Sequence, residues 1–158
     1  MTTVVPMIGT KLYIGTPIDI SVTNTPTLFA ALTWTEIKNA TMVGKTGDTY
    51  APIRNEVLSD GRVHYSKGVA DGGSPQIEYL PIAADPGQAI VAAALLATGD
   101  YAFKVVYNDK PAAGTSGTID YFGALVMGNA KANGTTSTSL KVQFALAINS
   151  AIISVPAV

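Results

Sequence analysis

The sequence contains no cysteine, which excludes disulfide staples, thiolate nucleophiles and cysteine-ligated metals but says little about compartment. Histidine occurs once, at His64. A zinc centre built on several imidazoles is therefore impossible, and a Ser-His-Asp arrangement would hang on one ring in a loop, where a solvated histidine is expected. Charge is scarce: Asp, Glu, Lys and Arg make up 13% of the chain, against roughly 25% in an ordinary soluble domain. With a net charge of −1 there is no basic stripe to neutralise phosphates, so sequence-specific nucleic-acid binding is not expected. The uncharged stretch Gln88 to Thr98 falls well short of the about 20 apolar residues that cross a bilayer, and no membrane role is expected.

Short motifs that carry chemistry fail at specific positions. Gly44-Lys45-Thr46 resembles the end of a phosphate-binding loop, yet the first glycine of that pattern would fall at Asn39, and Gly47 follows where a helix should start. Gly114-Thr115-Ser116-Gly117 lacks the spacing of a nucleophile elbow. Asp60, Asp71, Asp85, Asp100 and Asp109 sit at turns or caps, where short carboxylates hold backbone donors instead of pairing for acid/base work. No catalytic, cofactor or metal-binding residue is expected, and the chain does not read as an enzyme. Asn39-Ala40-Thr41 and Asn133-Gly134-Thr135 match the glycosylation pattern, but the opening Met1-Thr2-Thr3-Val4-Val5-Pro6 lacks the basic and apolar regions of a signal peptide, so synthesis and use in a cytoplasm are expected.

What the chain does have is apolar residues, 47% of its 158 positions, enough for one domain spanning residues 1–158 with a real core. Its surface must then be polar through Thr, Ser, Asn and Gly. Such a surface costs solubility in a free monomer and fits a protein that hides area by self-association.

One stretch organises the rest. Asp85 is placed to cap a helix, Pro86 suits its first position, and Gly99 is expected to close it at C′. Between them Ile90, Val91, Leu95 and Leu96 spread around the helix without leaving a polar face, so it needs cover on more than one side. The domain's own sheet supplies one side and a second copy the other, which makes Ala92 and Ala93 candidates for a subunit interface. Trp34, the only tryptophan, is expected to anchor the core or that interface, because its ring buries so much area.

Strands surround this helix. They are expected over Lys11–Gly15, Ile18–Val22, Leu32–Asn39, Thr41–Thr46 and Ser74–Ile82, then after the helix over Tyr101–Tyr107, Thr118–Met127, Ser139–Ile148 and Ile152–Val155. Tyr101, Phe103, Val105 and Tyr107 share one face. The continuous apolar character of Thr118–Met127 implies cover on both faces, and Ser139–Ile148 alternates cleanly, with Leu140, Val142, Phe144, Leu146 and Ile148 inward. Residues 47–73 read as a long loop holding a turn at Ser59-Asp60-Gly61-Arg62, able to project as a two-stranded flap. Its single apolar residues Ile53, Val57, Leu58, Val63 and Tyr65, with Arg54 and Arg62, are candidates for contacts with a partner. The class is mainly β: two packed antiparallel sheets, a sandwich or barrel, with one α-helix and short terminal arms.

In this order of elements the chain resembles the major tail tube proteins of long-tailed bacteriophages. The resemblance is carried by Gly9-Thr-Lys-Leu-Tyr-Ile14, Ala31-Leu-Thr-Trp-Thr-Glu-Ile37, Lys67-Gly-Val-Ala-Asp-Gly-Gly-Ser74, Asp85-Pro-Gly-Gln88 opening an Ala/Leu helix, Tyr101-Ala-Phe-Lys-Val105 and the terminal alternating strand. It implies a structural virion subunit that forms hexameric rings, one sheet from each subunit joining a continuous barrel, and rings that stack into a tail tube. It also implies assembly around a tape-measure protein, contacts with tail-tip and terminator proteins, and a lumen that conducts DNA without binding it specifically. Two alternatives stand beside this reading: the tube of a contractile tail or secretion device, and a monomeric β-sandwich module that binds glycans.

Overall fold

The computed structural model describes residues 4–158. The elements in order are β1 (Lys11–Ile18), α1 (Pro26–Ala30), β2 (Thr35–Ile37), β3 (Ala40–Met42), β4 (Thr49–Val57), β5 (Asp60–Asp71), β6 (Gln76–Tyr79), α2 (Pro86–Leu96), β7 (Asp100–Val106), β8 (Ile119–Ala132), β9 (Lys141–Ile148) and β10 (Ile153–Val155). They form two antiparallel sheets. The larger has the order β2-β1-β7-β8-β9-β6-β3, with β10 also on β8, and the smaller is the hairpin β4-β5.

β8 holds the larger sheet together. Its first half pairs with β7, from Tyr101↔Ala124 to Val106↔Ile119, and its second half pairs with β9, from Ala124↔Ile148 to Ala132↔Lys141. The register slips between Val126 and Gly128, and this bulge turns Met127 out to solvent.

Period-two patterning decides which face is covered. Leu12, Ile14, Ile77, Phe103, Val105, Phe122, Phe144 and Leu146 form the main core together with Val91 and Ala94 of α2. Phe103 stacks on Phe122 at 5.7 Å between centroids and on Phe144 at 6.5 Å. The opposite face of β7 and β8 carries a smaller core, where Phe29 of α1 stacks on Tyr121 at 5.5 Å beside Ala102 and Trp34. Thus β8 is covered on both sides, as its continuous apolar run implies.

α2 starts as its sequence dictates. Asp85 caps it, its Oδ2 accepting from the Gln88 backbone N–H at 3.1 Å, and Pro86 follows. Gln88 then ties the helix to the sheet: its Nε2 donates to the carbonyls of Lys38 and Leu80, both at 3.1 Å, and its Oε1 accepts from the Ile82 N–H at 2.9 Å. At Gly87 a Cβ would lie 2.2 Å from the Glu36 carbonyl oxygen, so only glycine lets the helix lie this close to β2.

Several expectations are corrected. The helix ends at Leu96 with Ala97 extended at ψ 152, and Gly99 does not adopt the left-handed conformation of a C′ glycine. A second helix, α1, exists because Thr25 caps it, accepting from the Leu28 N–H at 3.3 Å, with Pro26 in its first turn. The strand expected at Ile18–Val22 is a turn, in which Asp19 accepts from both the N–H and the hydroxyl of Ser21. β1 meanwhile runs on through Gly15-Thr16-Pro17 by way of a register shift. The strands expected at Leu32–Asn39 and Thr41–Thr46 shrink to β2 and β3, separated by Asn39 at φ 58.

On the outer face of the β3-β6-β9 edge, Glu78 gathers three partners: the Thr41 hydroxyl at 2.9 Å, the Lys141 ammonium at 2.9 Å and the Gln143 amide at 3.0 Å. The hydrogen bond from Gln143, then those from Lys141 and Thr41, pull its pKa from 4.5 to about 2. The folded value lies below the unfolded one, so the stabilisation is complete above pH 4.5 and is lost as pH falls toward about 2. The expected outcome is that Glu78→Gln narrows its stability deficit relative to the native chain as pH drops through this window, measured as denaturant midpoints. A deficit that does not change with pH would contradict it.

Candidate assembly surfaces

α2 buries Gly87, Gln88, Val91 and Ala94 against the sheet and leaves Ala89, Ala92, Ala93 and Leu96 outside. The outer face therefore carries no charged side chain. Ala92 and Ala93 are exposed, on the side turned away from the chain's own core. Leu96, 87% exposed, extends the same apolar face. It was legible as one of the residues spread around the helix, but its outward direction depends on where the helix docks.

Residues 47–73 are a hairpin along nearly their whole length, not a loop with a short flap. Pairing runs from Thr49↔Asp71 to Val57↔Asp60, with shifts between Tyr50 and Pro52 and between Asn55 and Val57. The reversal is at Leu58-Ser59, two residues earlier than the centre of the Ser59-Asp60-Gly61-Arg62 turn expected from sequence, with Asp60 Oδ1 accepting from the Arg62 N–H at 3.1 Å. The two strands pack on each other and make no substantial contact with any other element. Ile53, Arg54, Val57, Leu58, Arg62 and Tyr65 are exposed and Val63 is half-buried. Tyr50 and Val69 are exposed too. Both lie in the segment but were not singled out from sequence, because nothing in a two-stranded ribbon marks which apolar residues lack cover.

The charges of this ribbon are largely satisfied within it. Arg54 pairs with Glu56 and His64 with Asp60, while the Lys67 ammonium lies over the Tyr50 ring at 4.9 Å. Elsewhere, Val4 and Ile8 of the amino-terminal arm are also exposed.

Trp34 faces inward. Its ring is half-buried against Tyr121 at 5.8 Å, its Nε1 donates to the Phe29 carbonyl at 3.1 Å, and the Lys104 ammonium sits 4.9 Å from its centroid. Lys104 lies 4.3 Å over Tyr13 as well, and desolvation lowers its pKa. Among the described residues no group of three or more His, Asp or Glu side chains is placed to hold a metal ion. No helix among them is long and apolar enough to cross a membrane.

This architecture has counterparts among solved structures. A chain of the SPP1 tail tube superposes with a TM-score of 0.69 at 15% identity, over 97% of this chain and 81% of that one. The chain has the tail tube fold. A chain from the baseplate of the anti-feeding prophage matches at TM-score 0.67 and 11% identity, over 99% of this chain and 98% of the other. A chain from the sheath/tube terminator of the PVC extracellular contractile injection system matches at TM-score 0.70 and 8% identity, over 98% of each. No protein-family model matches the sequence, and no curated protein matches it. One fold is thus shared by chains that are 8–15% identical to this one.

The inward setting of Trp34 yields a prediction. Trp34→Ala is expected to destabilise the chain by about 2 kcal/mol, less than truncation of a fully buried aromatic because the ring is only half-buried, with a lower melting temperature by circular dichroism. Below that temperature assembly should survive, and loss of assembly at full stability would instead place the ring in an interface.

Proposed function

We propose that this chain is the structural subunit of a phage tail tube, residues 1–158 acting as one tube domain. Copies join into rings, hexameric as the family resemblance implies, and rings stack around a lumen that passes DNA without binding it specifically. Assembly takes place in the host cytoplasm around a tape-measure protein, and the tube meets tip and terminator proteins at its ends. Its place is the tail of the virion, and its role is not catalytic.

The observation that carries this reading is the β4-β5 hairpin. A two-stranded hairpin has no core of its own in which to bury side chains, and this one displays Tyr50, Ile53, Val57, Leu58, Tyr65 and Val69 to solvent. Apolar exposure on this scale marks an interaction site. A low-charge chain with the tube fold has the next copy of itself as the natural partner. The outer face of α2, with Ala92 and Ala93, supplies a second contact between subunits.

A second reading, the tube of a contractile tail or secretion device, is favoured by two matches that span 98% or more of both chains and come from contractile or prophage assemblies. A sheath protein co-purifying with the particles would select it. A glycan-binding module would instead stay monomeric at high concentration and be stabilised by a sugar.

Negative-stain microscopy of the concentrated protein is expected to show rings or tubes, and a persistent monomer would overturn the proposal. Ala92→Glu or Ala93→Glu should abolish or strongly weaken assembly, since a carboxylate buried without a partner costs several kcal/mol. If both variants polymerise normally, the helix face stays in solvent. Replacing Asp48–Ala70 with a short Gly/Ser linker should leave a folded subunit that makes no long tubes, as judged by circular dichroism and microscopy together.

A further inference from the structure

Glycines of two kinds stand at the root of the hairpin. Gly44 and Gly72 are pressed against the body: a Cβ on Gly44 would meet the backbone of Gln76 at 2.7 Å, and one on Gly72 would meet the Ile148 side chain at 2.6 Å. Gly73 is fastened too, its carbonyl accepting from the Ile148 N–H at 3.1 Å while its own N–H donates to Asp71 at 2.8 Å. Gly47 differs. It lies between the fastened Gly44 and the start of β4, has φ 156, and would carry a Cβ into empty space. On the outgoing leg the last fastened residue is Gly72, and Asp71 beyond it is exposed.

The legs flank an open groove of about 610 Å³ lined by Lys45, Thr46, Asp48, Ser74 and their neighbours. The hairpin therefore has free volume at its root and is held there by little more than its two legs.

We propose that β4-β5 is a preformed, internally rigid arm that pivots on Gly47 and on the Asp71–Gly72 junction. The arm's own order comes from its ladder and its cross-strand contacts, Asn55 with Ser66 at 2.9 Å and the Lys67 ammonium over the Tyr50 ring at 4.9 Å. The pivot comes from glycine, whose missing side chain leaves φ and ψ free. Docking such an arm fixes a few torsions, whereas docking a disordered segment would fix those of every residue in it. The arm can then search for a surface on the next copy without unfolding. Pivoting is a property of the free subunit whether or not it forms tubes, and its use in stacking rests on the tube reading.

The absence of cysteine makes the test clean. Spin labels at Leu58→Cys with Lys11→Cys report arm against body, and labels at Leu58→Cys with Val69→Cys report the length of the arm. In dilute subunits, pulsed electron–electron resonance is expected to give a broad distance distribution for the first pair and a narrow one for the second. A narrow first distribution means a fixed arm, a broad second one means a disordered segment, and either overturns the proposal. Gly47→Val is expected to narrow or displace the first distribution while leaving the melting temperature within a few degrees. An unchanged distribution would show that Gly47 is not a pivot. Microscopy of the same samples separates these outcomes from a failure to form tubes.

Discussion

Everything in this subunit leans on β8, and β8 on being covered twice. Phe122 fills the main core while its neighbour Tyr121 fills the smaller one, so successive side chains of one strand bind two layers together. Phe122 stacks on Phe103, which stacks in turn on Phe144, and this aromatic row spans the three central strands. Aromatic burial of this kind dominates core energetics. α2 adds Val91 and Ala94 on one side and α1 adds Phe29 on the other, and neither helix is long enough to be stable alone.

With the core settled on β8, the remaining apolar surface has no place inside the chain. The hairpin turns its large side chains to solvent and the helix its alanines. In a chain with few charges, such surface is what the proposed assembly draws on. Arg54 pairs with Glu56 within the ribbon, which leaves neither of those two charges to be stranded when the ribbon lies against an uncharged surface.

Much of the fold was legible where one physical rule acted alone. Period two placed Leu140, Val142, Phe144, Leu146 and Ile148 inward; the last four are buried in β9, while Leu140 is exposed because it precedes the first paired residue of the strand, Lys141. Asp85-Pro86 marked the start of α2 because capping and a fixed φ require nothing beyond neighbouring residues. Legibility failed where rules competed. At Thr25-Pro26 a turn signal and a helix start look alike, and only the docking of Phe29 decides between them. At Asp19 the alternating pattern of Ile18 to Val22 lost to a side chain that bonds to its own backbone. At Gly99 the helix had already ended, since Ala97 turned extended to lead into β7. In the hairpin the sequence showed its turn residues but not that both flanks would zip, because cross-strand register has no local signature. Of the candidate surfaces, the outward Ala92 and Ala93 could be read from a missing polar face. The inward ring of Trp34 could not be separated from an outward one.

The bulge in β8 turns Met127 outward, and Met7 and Met42 are exposed as well. Thioethers are the groups that oxidants convert to polar sulfoxides, a change that ruins a core but is tolerated at a surface. Since the chain also lacks thiols, an oxidant meets the three methionine sulfurs of the described residues at the surface, where added polarity leaves the packing around Phe122 untouched.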